Sequence, residues 1–346
     1  DKPATPSMLA ALIYLPLYHL GVQLSYGWNL AYYLIIFFVV KGLWILSVLA
    51  FNKVMGLFGL AERQALINTL IFALASQAFT WSSTFYNHSI AASCLIIALA
   101  HFISGRKFKA PNDLLISGFL FGLAAAADLP TGLFLLGFTW LIFRLKISNA
   151  QKWSFIIAGF LPLCFHLLIN YQISGSLLPL QFYKEYFYFE GSQWTEGIRI
   201  NGPIPFLKYL ILSILGYQGL LWFSPLLIVL LPLLVKNMEQ GRPFYEEHRV
   251  IAVCSSLLML NYFLLTQNFG WGYGVRWFVP LLPLLYIYLF DSDSILRSKG
   301  QIMIFRGLVI YSFVVALIGL INPWSNPEYH VLPVIANLLQ LSHFLY

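Results

Sequence analysis

The sequence predicts an all-α polytopic membrane protein: one bundle of about ten transmembrane helices, with a short amphipathic helix lying on the outer surface near the N-terminal end. Three observations carry this prediction. Of the 346 residues, 60% are hydrophobic and only 10% charged, and mean hydropathy is +0.77, which excludes a water-soluble globule. Apolar runs of near-spanning length recur between residues 30 and 321, and a helix needs about 20 residues to cross roughly 30 Å of hydrocarbon. The runs lack the apolar–polar alternation of a membrane barrel, and helices satisfy their own backbone hydrogen bonds inside a bilayer.

The expected spans are 29–52, 64–80, 87–104, 112–127, 131–145, 153–173, 206–235, 250–267, 274–290 and 304–321. Their orientation follows from the basic residues. Fourteen of the 20 Lys and Arg fall in loops on one side, whereas Lys2, Lys184, Arg199, Lys208 and Arg276 fall on the other and Lys41 lies inside a span. The richer side is assigned to the cytoplasm. With that parity the run 8–20 cannot cross once, and at about 13 residues it is too short to span. It is therefore expected to lie along the outer surface. In the span 206–235, Ser224-Pro225 predicts a kink, because proline removes one helical hydrogen bond and clashes a turn back. Lys41 sits about 16 Å from the end of its span, beyond the reach of a lysine stem, so it is expected to face the bundle or a wet cavity.

The chain reads as a single helical transmembrane domain over 1–346. Residues 1–28 form the end of a first outer loop with its surface helix, 174–205 a large outer loop and 331–346 an outer-side C-terminal segment. The opening DKPATPS has neither an initiator Met nor a signal peptide, which implies an N-terminal part upstream. The net charge of +7 is accounted for by cytoplasmic loops, so nucleic acid is excluded as a partner. Cys94, Cys164 and Cys254 are odd in number and sit inside apolar runs, as core residues do.

The stretch 266–285 stands out because it sets Arg276 and three alternating glycines, Gly270, Gly272 and Gly274, between apolar runs. Glycine lets backbone approach a ligand, and guanidinium offers a planar fork to phosphate or carboxylate. The competing account is an Arg that snorkels among the belt aromatics Trp271, Tyr273 and Trp277. Asn87 fits an N-cap for the span that follows, and His88 then falls in its first turn as a belt residue, a hydrogen-bond donor or a proton carrier. Asp128 closes a span in a tight turn, either as turn and cap chemistry or as a partner charge or metal contact facing the side of Arg276. Lys2 is a solvated terminal charge or a point charge for a phosphate. The aromatic loop 174–205, which also carries Glu196, either covers a ligand mouth or forms an interfacial belt. No soluble-type phosphate loop, HExxH, Cys/His zinc spacing or nucleophile elbow is present, so no motif demands a metal or organic cofactor and only a divalent cation stays open.

Asp1-Lys2-Pro3 ahead of the surface helix, Thr84-Phe85-Tyr86-Asn87-His88, AADLPTG at 126–132, Asn170-Tyr171 with Gly175-Ser176 and Pro179, GLLWFSPLL at 219–227 and WGYGVRWFVPLLPLL at 271–285 together resemble the GT-C-type membrane glycosyltransferases. The bacterial members related to protein O-mannosyltransferases and lipid A aminoarabinose transferases are the most similar. The resemblance implies a GT-C-like multi-helix bundle that takes a sugar from a polyprenyl-phosphate carrier at the outer face of an inner membrane, with Lys2 and Arg276 gripping the carrier phosphate. Asn87, His88, Asp128, Tyr273 and Glu196 are the further site-lining candidates. The family's catalytic acid lies in a first outer loop, which places it upstream of Asp1. Ala4 replaces the second proline of the family's Lys-Pro-Pro. A GT-C-like subunit without activity, acting as a scaffold or lipid-binding part of a membrane complex, would share these features, and a transporter is a third reading.

Overall fold

The computed structural model describes residues 3–25, 29–177, 183, 185, 200–265, 272–325 and 332–344. Among the described residues the regular structure is helical throughout: α1 (Ala4–His19), α2 (Leu30–Leu57), α3 (Glu62–Leu74), α4 (Asn87–Phe108), α5 (Pro111–Ala127), α6 (Gly132–Arg144), α7 (Asn149–Ser174), α8 (Pro203–Leu215), α9 (Leu227–Asn237), α10 (Tyr245–Leu265), α11 (Lys299–Ile321) and α12 (Pro333–Phe344). Six helical stretches are long and apolar enough to cross a membrane: α2, α4, α7, 203–223, α10 and α11. Helices α5, α6 and α9 are shorter apolar elements beside them.

Helix starts are set locally. Asn29 caps α2 by accepting from Tyr32 N at 3.0 Å, and Ser148 and Ser298 open α7 and α11 with reciprocal capping boxes to Gln151 and Gln301. At the other end of α7, Gly175 takes a left-handed φ of 72°.

Helix α4 is the buried axis of the bundle, with Ile90, Cys94, Leu95, Leu99 and Phe102 all in the core. It runs antiparallel to α5, and α5 packs in turn on α7. That second contact is close because Gly118 and Gly122 stand one turn apart on α5. A Cβ at Gly118 would lie 2.1 Å from Phe155 O, and one at Gly122 only 1.8 Å from Gly159 O. Small residues at this spacing let helix backbones approach inside a membrane, where packing replaces the hydrophobic effect as the force between helices.

Several elements differ from the sequence expectation for identifiable reasons. The run 64–80 is broken: α3 ends at Leu74, a single turn covers Gln77–Thr80, and the Ala75 carbonyl freed between them accepts from Tyr286 Oη at 3.0 Å. In 206–235 the helix is broken twice rather than bent only at Pro225: Gly216 and Gly219 end the first segment before the proline is reached, a single turn Leu220–Phe223 follows, and the helix resumes at Leu227. The stretch 276–294 is 3-10 helix at both ends with one α-turn, Leu282–Tyr286, between them; Pro280 and Pro283 withhold the N–H groups that a continuous α-helix needs. Helix α1 forms where a surface helix was expected, but it is not amphipathic. Leu12, Leu15 and Tyr18 are exposed while Leu9, Ile13 and Tyr14 pack on the core, and Thr5 Oγ1 bonds His166 Nδ1 of α7 at 3.2 Å. Lys41 also departs from its expected place. It ends a π-helical turn, Ile36–Lys41, and lies exposed on a face shared with Phe37, Ile45 and Leu49, because the opposite face is filled by Ile36, Val39 and Val40.

Candidate functional site

The antiparallel pairing of α4 and α5 brings the start of one helix beside the end of the other. His88 is the second residue of α4 and Asp128 follows the last residue of α5, and the His88 Nδ1 to Asp128 Oδ2 distance is 2.5 Å. Both are buried, at 2% and 4% exposure. The Asp128 backbone makes the turn itself: its N–H donates to Ala124 O at 2.8 Å, and its carbonyl accepts from Thr131 N at 2.9 Å and Thr131 Oγ1 at 2.8 Å. Its carboxylate caps no helix. That leaves the carboxylate for the imidazole, where it fixes which ring nitrogen carries the proton, since Nδ1 must be the donor.

The His88 ring stands edge-on to Tyr86 at 4.7 Å and to Trp277 at 5.3 Å between centroids. Tyr262 of α10 stacks on Trp277 at 5.5 Å. Arg276 meets two of the same rings and a third, its guanidinium carbon 4.7 Å from the Trp277 centroid, 5.5 Å from Tyr86 and 5.6 Å from Trp324. A cation held over aromatic faces gains about 0.5 to 2 kcal/mol per favourable ring and is fixed in direction. Arg276 is half-buried, whereas Trp324 is exposed. Burial pushes the Tyr86 phenol well above its usual range, against the pull of Arg276 and with a further rise from Asp128, so it stays a protonated donor beside the guanidinium. The Arg276 cation and the His88–Asp128 pair therefore share two aromatic side chains, Tyr86 and Trp277.

The backbone that presents Arg276 is held by buried amides. Gln77 Nε2 donates to Tyr273 O at 2.8 Å and Gln218 Nε2 to Gly272 O at 2.9 Å. Each comes from one of the helix interruptions, which free room for a side chain to reach across. Gly274 has φ 77°, and a Cβ there would lie 2.2 Å from Gln77 Nε2, so glycine is required.

Of the residues singled out from sequence, the structure gathers His88, Asp128 and Arg276 at one end of the bundle. Asn87 is the first residue of α4, not its cap, and is buried beside His88. Tyr273 is turned into the scaffold: its hydroxyl donates to Val315 O at 2.7 Å, and its ring fills the space over Gly319 of α11. Lys2 and Glu196 lie outside the described residues, as do Trp271 and most of 174–205. Trp324, Tyr262, Gln77 and Gln218 escaped the sequence reading. For the two glutamines a signal existed, a polar amide inside an apolar run, which at membrane depth must have a partner. Among the described residues no group of three or more His, Cys, Asp or Glu is placed to hold a metal ion.

No protein-family model matches the chain, and no curated protein matches it by sequence. Solved structures do match. The crystal structure of ArnT from Cupriavidus metallidurans in the apo state aligns over 100% of this chain and 60% of its own, with a TM-score of 0.57 at 14% identity. The structure of the same protein bound to undecaprenyl phosphate aligns over 93% of this chain and 60% of its own, with a TM-score of 0.55 at 14% identity. The chain has a fold similar to that of ArnT. The helical-bundle architecture implied by the short motifs is the architecture observed. At this identity the likeness is one of fold, and the chain spans 60% of the ArnT length.

Proposed function

We propose that this chain forms the membrane body of a GT-C-type glycosyltransferase that moves a sugar from a polyprenyl-phosphate carrier to a lipid, glycan or protein acceptor at the non-cytoplasmic face of an inner membrane. The observation that carries the proposal is the half-buried guanidinium of Arg276, aimed by three aromatic rings, beside a buried imidazole–carboxylate pair in a chain with the ArnT fold.

In the proposed reaction an acceptor hydroxyl attacks the anomeric carbon, the bond from that carbon to the carrier phosphate oxygen breaks, and the phosphate leaves with the electron pair. Arg276, joined by Lys2, binds the phosphate and stabilises the charge it gains, an effect that strengthens where water is scarce. Asp128 holds the His88 ring in one tautomer and orientation, and His88 and Tyr86 line the floor against which the sugar or its acceptor is placed. The hydroxyl proton goes to the carboxylate base that the GT-C resemblance implies.

The test uses the full-length protein in membranes, with undecaprenyl phosphate binding and sugar transfer measured side by side. Arg276→Ala is expected to lower transfer about 100-fold, the range for loss of one preorganised charge stabiliser, while Arg276→Lys retains part of it. Transfer and undecaprenyl phosphate affinity that both survive Arg276→Ala unchanged, in protein that still melts cooperatively, would rule the assignment out.

A further inference from the structure

A second group of cations lies at the end of the bundle remote from Arg276. Arg106 is 18 residues beyond His88 along α4, which puts it about 27 Å away along the helix axis. Here the last turns of α4 and α6 and the first turn of α10 surround a cavity of about 350 Å³, lined by Arg106, Lys109, Arg144, Lys146 and one carboxylate, Glu246.

Arg106 is part of the frame. Its Nη1 donates to both carboxylate oxygens of Glu247, a side chain with 1% exposure, and its guanidinium carbon lies 5.8 Å over the Phe244 ring. Only that nitrogen is used, so Nε and Nη2 have no protein acceptor among the described residues. Arg144 is also directed, 4.9 Å over Trp140. Glu247 offsets Arg106 and Glu246 offsets one further cation, so the lining keeps an excess of two positive charges. That excess matches a phosphate group, and guanidinium with remaining N–H donors suits its oxygens.

The exposed aromatics next to the cavity are as informative as its lining. Trp140 and Phe143 of α6 and Trp153 of α7 are exposed at 55%, 52% and 55%, and the Phe143 and Trp153 rings meet edge-on at 6.3 Å. Trp140 lies under the Arg144 guanidinium, so an exposed aromatic surface of α6 and α7 adjoins the basic recess. A ligand that satisfies both parts is an amphiphile with an anionic phosphate head.

We propose that this cavity binds the phosphate of an anionic phospholipid, held by Arg106, Lys109, Arg144 and Lys146, with its acyl chains against Trp140, Phe143 and Trp153. The site is separate from the one around Arg276 and stands whether or not the transferase reading does.

The full-length protein is purified in detergent and exposed to equal amounts of phosphatidylglycerol and phosphatidylcholine, with retained lipid read by native mass spectrometry. Phosphatidylglycerol is expected to be retained preferentially, and each of Lys109→Gln, Arg144→Gln and Lys146→Gln to lower that preference about fivefold, the worth of one basic residue at an anionic headgroup. These three side chains are exposed, so their loss leaves the Arg106–Glu247 frame in place. Trp153→Ala should weaken retention of long-chain lipid but not of a short-chain phosphatidylglycerol. A second arm offers glycerol phosphate and inorganic phosphate. Saturable binding of either, with no preference between the two lipids, would give the cavity to a soluble phosphate compound and overturn the lipid assignment. Equal retention of both lipids by wild type and all three variants, without phosphate binding, would leave the cations as orientation signals and overturn the site.

Discussion

The contact between α5 and α7 sets where Asp128 sits, and Gly122→Ala tests that dependence. An ideal Cβ at 122 would stand 1.8 Å from the Gly159 carbonyl oxygen, and carbon–oxygen contacts below 3.0 Å are essentially never seen. The helices must then part by about 1.2 Å, since the obstacle is backbone and not the far end of a side chain. Overpacking of this kind costs about 1–3 kcal/mol, while replacing Gly inside a helix returns about 1 kcal/mol; because the obstacle is backbone the upper part of that range applies, and a net loss of up to about 2 kcal/mol is expected. Gly307→Ala on α11 is the matched control, because nothing lies within 4 Å of its added Cβ and only the helix-propensity gain remains. The two variants should shift the apparent melting temperature in detergent in opposite directions, each by a few degrees. Gly122→Ala should also weaken function. Asp128 lies six residues on, and a displacement of about 1 Å at this end of α5 disturbs its 2.5 Å contact to His88. Equal melting temperatures for Gly122→Ala and Gly307→Ala would refute the idea that close backbone approach at Gly122 positions this end of the bundle.

Two further substitutions probe the site directly. Asp128→Ala leaves a buried imidazole N–H without its acceptor and should cost about 1–3 kcal/mol of stability, whereas Asp128→Asn keeps an acceptor and should cost less while lowering sugar transfer; thermal melts and transfer assays on both variants check this. Gly274→Ala forces a side chain into a left-handed φ of 77° and onto Gln77 Nε2, and is expected to destabilise by about 2 kcal/mol and weaken undecaprenyl phosphate binding through Arg276. Pairing it with Gln77→Ala opens the space, so the double variant should lose less than the sum of the single losses. Strict additivity in that cycle would show that the clash is elsewhere.

The residues that reached the site from sequence alone are the ones whose chemistry is scarce in this chain. With charged residues at 10%, an Asp at a helix end or an Arg between glycines is conspicuous, and Asp128, His88 and Arg276 do lie together. The aromatic members were not legible in the same way. Aromatic residues make up 17% of the sequence, and nothing local separates Tyr86 and Trp324, which meet the guanidinium, from Tyr273, which turns into α11. That choice depends on how three distant segments pack, and each carries the same local preference for a half-wet, half-apolar setting.

The helix interruptions explain both what the hydropathy pattern concealed and how the site is built. A window of apolar residues reads as a span whether or not its backbone bonds are continuous, so 64–80 and 206–235 look like ordinary helices. In the folded chain each is cut where a glutamine, Gln77 or Gln218, turns inward to take a carbonyl of the 272–274 turn. Irregular backbone at membrane depth is tolerated only where protein groups satisfy it, and here two amides, the Tyr286 hydroxyl and the Pro323 carbonyl do so. The same bonds that make the breaks affordable hold the segment carrying Arg276. A transferase grip on phosphate would need that rigidity, because a guanidinium free to snorkel stabilises bound and departing phosphate alike, and only one fixed in place favours the departing charge.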